Sequence, residues 1–363
     1  MKICIDARPI GQKMHGIARY TYNMIKNLLK IDQQNQYTIL IGKDFPGISG
    51  EANNLKMITL RSRWISISEQ WELVKILKKL KPDLYHATSF VAPVFNPFPM
   101  VMTIHDLNHL ALANNYSFFH AMYYRFIVKP SARKSVKVLT GSEFSRKEIS
   151  KYLLIPNEKI KVVYYGCGEE FRPIKDPEIL SNVRKRYGLP EAFILYVGAY
   201  KPHKNVSNLI KAFSRISLKV PLVLSGKGNK ELLRISKELK LDKEIIFMGE
   251  LNENDLTAVY NCATLFVFPS YYEGFGLPPL EAMACGCPVV VSNVASLPEV
   301  CGDAAYYVDP YSLESIAEGI YKVLTDEGLR QGLIQKGLER AKLFSWEKSA
   351  KEHVRVFEEF LKF

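Results

Sequence analysis

One stretch of the sequence joins a predicted buried strand to a short helix and then to another strand, and so indicates the fold. It is Pro269-Ser-Tyr-Tyr-Glu-Gly-Phe-Gly-Leu-Pro-Pro-Leu-Glu-Ala-Met-Ala-Cys-Gly-Cys-Pro288. The apolar run at 264–268 predicts the first strand, which Pro269 ends. A second apolar run follows Pro288 and predicts the other strand. The rest of the chain can be placed relative to this strand, helix and strand.

A tight turn separates the first strand from the helix. Gly274 and Gly276 let the backbone turn and come close to a ligand, while Pro278 and Pro279 fit only the first turn of a helix. The helix is therefore expected to begin near Leu277. Its free N–H groups and its positive dipole end would face the glycine turn, where an anion such as a phosphate binds well.

Two glutamates flank this expected phosphate position. Glu273 lies in the loop, and we expect Glu281 in the first turn of the helix. Carboxylates repel a phosphate but accept hydrogen bonds well from sugar hydroxyls, so the pair predicts a sugar nucleotide. The alternative interpretation is that Glu281 only favours the helix dipole and that Glu273 is a solvated loop charge.

The segment Glu273-Gly-Phe-Gly-Leu-Pro-Pro-Leu-Glu281, followed by Ala-Met-Ala-Cys-Gly-Cys-Pro-Val-Val, resembles the Glu-x7-Glu signature of retaining GT-B glycosyltransferases of family 4. Other segments resemble the same family in the same order and cover nearly the whole chain. The resemblance implies the α/β GT-B fold, in which two facing Rossmann-like domains hold the active site in the interdomain cleft. The donor-binding residues that it implies in this segment are Glu273, Gly274, Phe275, Gly276, Leu277 and Glu281.

Chain length supports two domains, because 363 residues exceed the usual size of one hydrophobic core. A proline-bearing, charged stretch at 170–190 predicts the boundary. We therefore expect an acceptor-binding domain at 1–170 and a nucleotide-sugar donor domain at 171–345. By resemblance, a C-terminal helix at about 346–363 should pack back on the first domain.

Charge is concentrated in the first half. Residues 1–170 hold 24 Lys+Arg against 13 Asp+Glu, whereas the remainder holds 25 against 24. A basic half suits nucleic acid, an anionic acceptor or an anionic membrane surface. Nucleic acid is the least supported partner, since no zinc-finger, basic-zipper or RNP-type pattern accompanies the charge.

Cysteine spacing and hydropathy indicate the compartment. The six cysteines show no metal-like spacing, so we expect buried free thiols in a reducing cytosol. The N-terminus enters a strand directly, which leaves no room for a signal peptide, and no apolar run approaches the roughly 20 residues that span a bilayer. The expected location is the cytoplasm, with the inner face of the cell membrane as a possible peripheral site.

The first strand, at 2–6, leads into the loop Gly11-Gln-Lys-Met-His-Gly16 and a helix at 18–29. This loop is neither the dinucleotide fingerprint nor a Walker sequence, which argues against a dinucleotide oxidoreductase. The loop resembles the family segment that brings backbone N–H groups to the donor diphosphate. Gly16 is the position that this resemblance implies.

His105 follows an apolar run and so lies at the carboxyl end of a predicted strand, where ligands bind in parallel sheets. A lone histidine there is structural as often as functional. However, Thr-Ile-His-Asp-Leu resembles the family segment whose histidine contacts the transferred hexose. His86 is expected to form a hydrogen bond in the core.

Two helical segments combine aromatic and basic residues. In the helix at 68–80, a stripe of Trp71, Val74, Leu77 and Leu80 is expected in the core. At 116–137, the aromatic residues Phe118, Phe119, Tyr123, Tyr124 and Phe126 are interleaved with Arg125, Lys129, Arg133, Lys134 and Lys137. Aromatics at helical spacing usually form core, and a helix that faces the acceptor or a membrane is the second interpretation.

In the second half, Phe193-Ile-Leu-Tyr-Val-Gly198 predicts the first strand of a second Rossmann-like domain. The family often has arginine after that glycine and lysine five residues later, both on the diphosphate. Lys204 matches the lysine, but Ala199 occupies the arginine position; Lys201, His203 or an arginine of the other domain are possible substitutes. Resemblance further implies a nucleobase pocket formed by Gly226, Met248, Gly249 and Leu251. The segment that begins at Leu297 resembles a structural segment of the family, and we assign it no catalytic or binding role.

The resemblance implies transfer of a hexose from a nucleoside diphosphate sugar, with GDP-mannose favoured, to a glycan or lipid-linked acceptor hydroxyl in surface polysaccharide synthesis, including lipopolysaccharide. The implied catalytic residues are His105, Lys204 and Glu273, and Glu281 would hold the ribose. We expect no cofactor and no metal, since no Asp-x-Asp motif stands at a strand end. The alternatives are a glucosyltransferase that uses UDP- or ADP-glucose, and a non-catalytic polysaccharide-binding or scaffolding protein.

Overall fold

The computed structural model describes residues 1–11, 14–48, 53–62, 64–113, 116 and 118–360. The chain divides into two compact units. The first consists of Met1–Gly166 together with Ser345–Phe363, and the second consists of Cys167–Phe344. Each unit is an α/β domain built on one parallel sheet.

Strands of the first unit form a seven-stranded sheet in the order β3-β2-β1-β4-β5-β6-β7. Their bounds are β1 Lys2–Asp6, β2 Gln36–Ile41, β3 Leu55–Thr59, β4 Leu84–Ala87, β5 Met100–Thr103, β6 Lys137–Thr140 and β7 Ile160–Val162. The second unit has a six-stranded sheet in the order β10-β9-β8-β11-β12-β13. Its strands are β8 Ile194–Tyr196, β9 Leu222–Leu224, β10 Ile245–Phe247, β11 Leu265–Phe268, β12 Val289–Ser292 and β13 Tyr306–Val308.

Helices connect most of the consecutive parallel strands. In the first unit they are α1 Gly16–Ile31, α2 Ile67–Leu80, α3 Asn108–Ala111, α4 Phe118–Tyr123, α5 Lys129–Lys134 and α6 Glu143–Leu153, with a π-helical turn Tyr124–Val128 between α4 and α5. The second unit has α7 Pro177–Tyr187, α8 Val206–Phe213, α9 Lys230–Glu238, α10 Glu253–Cys262, α11 Leu277–Ala284, α12 Leu297–Cys301, α13 Leu313–Thr325 and α14 Glu327–Lys342. The last helix, α15 Trp346–Glu359, belongs to the first unit.

The sheets form where the sequence has short apolar runs bounded by glycine or proline. β4, β5 and β11 are buried along their whole length, as expected for central strands that are covered on both faces. The predicted strand at 264–268 and the predicted helix start at Leu277 are both confirmed. The predicted hydrogen bond of His86 is also confirmed, because its Nε2 lies 2.9 Å from Oγ1 of Thr103 in the core.

The expected core stripe of α2 is correct at Leu77 and Leu80 and wrong at Trp71. The side chain of Trp71 is 79% exposed, whereas Leu77 is buried together with Leu73, and Leu80 packs partly buried against the same core. Leu73 and Leu77 are four residues apart and so share a face, whereas Trp71 lies about 200° around the helix from Leu73. Hydrophobic spacing placed Trp71 in the stripe, whereas packing in the folded domain buries the face that carries Leu73 and Leu77.

The expectation that aromatics at 116–137 form core is correct for Tyr124 and wrong for three phenylalanines. Tyr124 is buried, whereas Phe118, Phe119 and Phe126 are exposed. The segment from α4 to α5 thus presents one apolar face to the core and a second apolar face to solvent. Among the described residues, no helix is both long and apolar enough to cross a membrane.

Helix α15 packs on the first unit through aromatic and histidine contacts. The ring of Trp346 stacks on Tyr165 at 6.1 Å, and the hydroxyl of Tyr20 in α1 lies 2.8 Å from Nε2 of His353. Gly166 lies directly beneath the start of the helix, where an added Cβ would be 2.1 Å from the backbone nitrogen of Trp346. The backbone at 166 and the start of α15 therefore approach more closely than any side chain would allow.

Replacement of Gly166 by alanine should therefore lower the free energy of unfolding by about 1–3 kcal/mol, because backbone atoms must move to make room. Thermal unfolding monitored by circular dichroism measures the change. Gly332→Ala in α14 is the matched control: an added Cβ there meets no atom within 4 Å, and alanine favours the helix by up to about 1 kcal/mol. Equal melting temperatures for Gly166→Ala and the wild type would contradict the close approach.

Candidate functional site

An ion pair between Lys204 and Glu273 lies at the centre of the candidate site in the second unit. The Nζ atom of Lys204 is 2.7 Å from Oε1 and 2.9 Å from Oε2 of Glu273. Both side chains are largely buried, and the same Nζ lies 5.2 Å from the ring centroid of Phe268 at the end of β11. Two residues that the sequence assigned to different parts of a donor are therefore joined directly.

Asn205 holds Lys204 in place. Lys204 ends a 3-10 turn before α8, and Asn205 follows with a left-handed φ of 61°, a conformation that asparagine adopts more readily than most residues. Its Nδ2 donates to the carbonyls of Pro269, at 2.9 Å, and Pro310, at 2.8 Å. The loop after β8 is thereby bound to the loops that follow β11 and β13.

The loop of Glu273 is held from a segment to which the sequence assigned no chemistry. The hydroxyl of Ser296 lies 2.9 Å from the carbonyl oxygen of Glu273 and 2.8 Å from that of Phe275. Gly276 has a φ of 104°, and an added Cβ there would lie 2.7 Å from Cδ2 of Leu297. Sequence reasoning missed Ser296, because a serine before a helix is indistinguishable from an ordinary cap until the loop lies against it.

The position of Glu281 differs from the expectation. Helix α11 begins at Leu277, so Glu281 lies in the second turn and not in the first. It is buried, and one of its oxygens accepts a hydrogen bond of 3.0 Å from the hydroxyl of Tyr260 in α10. The expected favourable interaction with the helix dipole falls off beyond the first turn, and the carboxylate is held instead by Tyr260.

The side chain of Phe275 is also placed by packing. Its ring contacts Phe344 edge-on at a centroid distance of 5.8 Å and is buried. Any donor contact at this position would come from the backbone. The start of α11, with Gly274, Gly276 and Leu277, thus presents backbone groups rather than side chains.

Three of the four predicted nucleobase residues lie in adjoining loops. Gly226 and Gly249 exchange backbone hydrogen bonds of 2.8 and 3.2 Å, and the backbone nitrogen of Met248 donates to Leu224 at 3.1 Å. The hydroxyl of Tyr200 donates to the carbonyl of Ser225, which brings the loop after β8 beside them. Leu251 is half-buried next to this group.

His203, one possible substitute for the missing arginine, is held neutral. Burial first, and the neighbouring charge of Lys204 second, lower the pKa of His203 to about 4. His203 is therefore neutral at pH 7 and supplies no positive charge for a diphosphate. Lys201 is exposed and keeps this possible role.

In the first unit, His105 forms hydrogen bonds through both ring nitrogens. Nε2 lies 2.9 Å from the carbonyl of Thr88, which only accepts, so Nε2 carries the proton. Nδ1 then accepts from the hydroxyl of Tyr165 at 2.6 Å. Burial lowers the pKa of His105 to about 4, so the ring is neutral at pH 7. A ring nitrogen can contact a hexose only by exchanging one of these bonds.

Gly16, the other predicted residue of the first unit, is the first residue of α1. The side chain of His15 caps this helix by accepting from the backbone nitrogen of Ala18. An added Cβ at Gly16 would meet no atom within 4 Å, so the space beside its α-carbon is open. Residues 12 and 13 of the predicted loop lie outside the described residues.

Arg8 fixes the start of this loop. Its guanidinium donates to both oxygens of Asp6, at 2.9 and 2.6 Å, and to Oε2 of Glu69 at 3.0 Å. All three side chains are buried. In the described ranges, no group of three or more His, Cys, Asp or Glu side chains could hold a metal ion.

Two family models match the chain and together cover most of it. The model described as Glycosyltransferase Family 4 matches residues 14–170, and the model described as Glycosyl transferases group 1 matches residues 182–340. The second match includes Lys204, Glu273 and Glu281.

Among curated proteins, the chain is 30% identical to the O-antigen chain mannosyltransferase B of Escherichia coli, over 98% of this chain and 99% of that protein. It is 31% identical to the serotype-specific mannosyltransferase WbdA of Escherichia coli, over 99% of this chain and 48% of that protein. These relatives are similar along the whole chain and not only at the signature.

Solved structures show the same fold at low identity. Sucrose-phosphate synthase from Thermosynechococcus elongatus superposes with a TM-score of 0.79 at 21% identity, over 100% of this chain and 99% of that one. HepE of Anabaena in complex with UDP and glucose gives a TM-score of 0.79 at 19% identity, over 99% and 100%. WaaG, a glycosyltransferase involved in lipopolysaccharide biosynthesis, gives 0.76 at 17% identity, over 98% and 99%.

The neutral state of His105 predicts a pH-dependent stability. The ordinary pKa of histidine is 6.5, and the pKa of His105 in the folded chain is about 4. The unfolded chain therefore binds a proton first, and the free energy of unfolding should fall as pH drops from about 6.5 to about 4, by about 1.4 kcal/mol per pH unit. Urea denaturation at several pH values measures this slope.

His105→Gln is the informative comparison, because glutamine can also donate and accept but does not titrate. Burial also lowers the pKa values of His86, His203 and His353. These histidines stay in the variant and supply their own parts of the slope. The variant should lose stability less steeply than the wild type over this range. Identical slopes would show that His105 is not held neutral.

Proposed function

The chain belongs to glycosyltransferase family 4 and is a glycosyltransferase with the GT-B fold, and from this premise we propose that it transfers a mannosyl group from GDP-mannose to an acceptor hydroxyl. The acceptor would be a glycan or a lipid-linked glycan in the synthesis of a surface polysaccharide. Similarity along nearly the whole of this chain to two proteins named as mannosyltransferases supports mannose as the transferred sugar. The observation that carries the reaction is the pair of Lys204 and Glu273 beside the start of α11.

Lys204 is assigned to the donor diphosphate. An ammonium group has three N–H donors, and two of them are directed to Glu273. The third is the donor that we assign to a phosphate oxygen. The first N–H groups of α11 supply further positive partial charge, and together these donors would stabilise the charge that gathers on the departing diphosphate without a metal ion or cofactor.

Glu273 is assigned to the hexose hydroxyls and not to nucleophilic attack. Both of its oxygens accept hydrogen bonds from Lys204, which lowers their nucleophilicity and fixes their direction. We therefore propose a retaining transfer on one face of the sugar. The bond from C1 to the phosphate oxygen breaks while the bond from C1 to the acceptor oxygen forms, and the acceptor proton passes to the departing phosphate oxygen.

The remaining residues are assigned to orientation of the donor. Glu281, held by Tyr260, would accept from the ribose hydroxyls. Backbone groups of Gly226, Met248, Gly249 and Leu251 would border the nucleobase, and those of Gly274, Phe275, Gly276 and Leu277 would contact the diphosphate and the hexose. In the first unit, Gly16 would offer its N–H to the diphosphate, and His105 would contact the hexose.

Nucleotide binding tests the central assignment. GDP-mannose should raise the melting temperature of the wild-type chain by mass action, by about 2.7 kcal/mol of stability at a hundredfold excess over Kd. Lys204→Met should weaken this binding by about tenfold to a hundredfold, because a charge-assisted hydrogen bond of about 1.5–3 kcal/mol is lost. Lys211→Met is the matched control, since Lys211 is exposed on α8, seven residues after Lys204, and forms no part of the ion pair.

Parallel titrations with UDP-glucose and ADP-glucose separate the donors. Stabilisation by GDP-mannose alone supports the proposal, whereas stabilisation by a glucose donor alone replaces mannose with glucose. Release of GDP in the presence of a mannoside acceptor then separates an enzyme from a binding protein. Equal effects of Lys204→Met and Lys211→Met would contradict the assignment of Lys204.

Metal independence gives a separate prediction. If Lys204 and the start of α11 provide the positive charge, the initial rate of GDP release should change by less than about twofold when the assay contains excess EDTA instead of Mg²⁺. Coupled detection of GDP measures the rate. A loss of activity in EDTA that Mg²⁺ or Mn²⁺ restores would contradict the proposal.

A further inference from the structure

The helical segment 118–134 exposes phenylalanines and cations on one side. Phe118 is 73% exposed, Phe119 is 81% exposed and Phe126 is 55% exposed. The three rings lie within nine residues of a helical segment that is buried at Tyr124 and Val128, and three cations of the same segment are likewise not buried. We call this set the aromatic-basic face, and its members are Phe118, Phe119, Arg125, Phe126, Lys129 and Arg133.

The opposite side of the same segment is anchored in the core of the first unit. Tyr124, Val128 and Ala132 are buried in a hydrophobic cluster that includes residues of β4 and β5. Ser131 also donates to the carbonyl of Ala92 in the neighbouring loop. The segment is therefore packed on the core through one side, while its phenylalanines are exposed.

Charge along this part of the sequence has a single sign. The chain contains no Asp or Glu between Asp106 and Glu143, whereas the same stretch contains five cations. The cations are Arg125, Lys129, Arg133, Lys134 and Lys137. A fourth exposed phenylalanine, Phe95, lies in the loop before β5, with its ring centroid 5.0 Å from Nζ of Lys134.

We propose that the aromatic-basic face docks on an anionic lipid bilayer, with the helical segment lying in the plane of the headgroups. Three phenylalanines in one exposed patch are unusual for a surface that meets only water. Phenylalanines with lysine and arginine stems beside them suit the boundary between acyl chains and headgroups. The cations would neutralise anionic headgroups at about 1 kcal/mol each.

The combination of features favours a bilayer over other occupants. A soluble polyanion would use the cations but not the phenylalanines. A second copy of this chain would bring the same positive charge against the face, which opposes association. An uncharged apolar partner would use the phenylalanines but not the cations. Only a surface that is both apolar and anionic uses both.

Co-sedimentation of the full chain with vesicles tests this inference. The wild type should bind vesicles of phosphatidylcholine with 30% phosphatidylglycerol and bind pure phosphatidylcholine at least tenfold more weakly. The double variant Phe118→Ser with Phe119→Ser should lower the partition coefficient onto anionic vesicles by about tenfold or more. Arg125→Gln with Lys129→Gln should lower it by about twenty-five-fold, or about fivefold per charge, and should flatten its salt dependence.

Leu233→Ser with Lys237→Gln is the matched control, because both residues are exposed on α9 of the second unit. This variant should bind anionic vesicles as the wild type does. Unchanged melting temperatures establish that each variant is folded, and GDP-mannose binding should be unaffected in all of them, so this inference can fail independently of the proposed function.

Three outcomes would overturn the inference. The first is that the wild type does not bind anionic vesicles. The second is that the cation variant loses binding while the phenylalanine variant keeps it, which indicates a site for soluble polyanions. The third is that sedimentation velocity shows a dimer that only the phenylalanine variant dissociates, which makes the face an interface between copies. Loss of binding in both face variants but not in the control supports the bilayer.

Discussion

The second unit depends on one ion pair. Lys204 and Glu273 lie 69 residues apart in the chain, yet two hydrogen bonds join them where both are shielded from water. Separation of such a pair would leave one partly buried charge without a counter-charge, which is unfavourable. Asn205 and Ser296 hold the two loops from either side, so the pair defines a fixed position for the start of α11.

Local sequence predicted the elements but not how they meet. The strand before Pro269 and the helix start at Leu277 follow from hydrophobic runs, glycines and prolines, which act over a few residues. The partnership of Glu281 with Tyr260, the support from Ser296 and the neutral state of His203 depend on segments that are distant in the sequence. No local pattern reports such contacts. Likewise, the spacing of apolar residues in α2 did not show that Leu73 is buried and Trp71 exposed, because this depends on how the helix packs in the folded domain.

The two units contribute different chemistry. In the second unit, backbone N–H groups and one lysine provide positive charge for an anion, while carboxylates are fixed by Lys204 and Tyr260. The first unit carries the excess of basic residues, together with a neutral His105 that is bonded through both ring nitrogens. Its exposed phenylalanines lie within that basic region, and the proposed docking on an anionic bilayer rests on this combination. The donor chemistry and the surface chemistry are thus properties of separate parts of the chain.

The central claim is that Lys204 and Glu273 serve a retaining transfer without a protein nucleophile. The configuration of the product tests this claim most directly. With GDP-α-mannose as donor and octyl α-mannoside as acceptor, proton NMR of the product distinguishes the two anomers. We predict an α-linked product from the wild type. Glu273→Gln should give the same anomer, formed more slowly. A β-linked product, or a mannosyl group found covalently attached to Glu273 by intact-protein mass spectrometry, would contradict it.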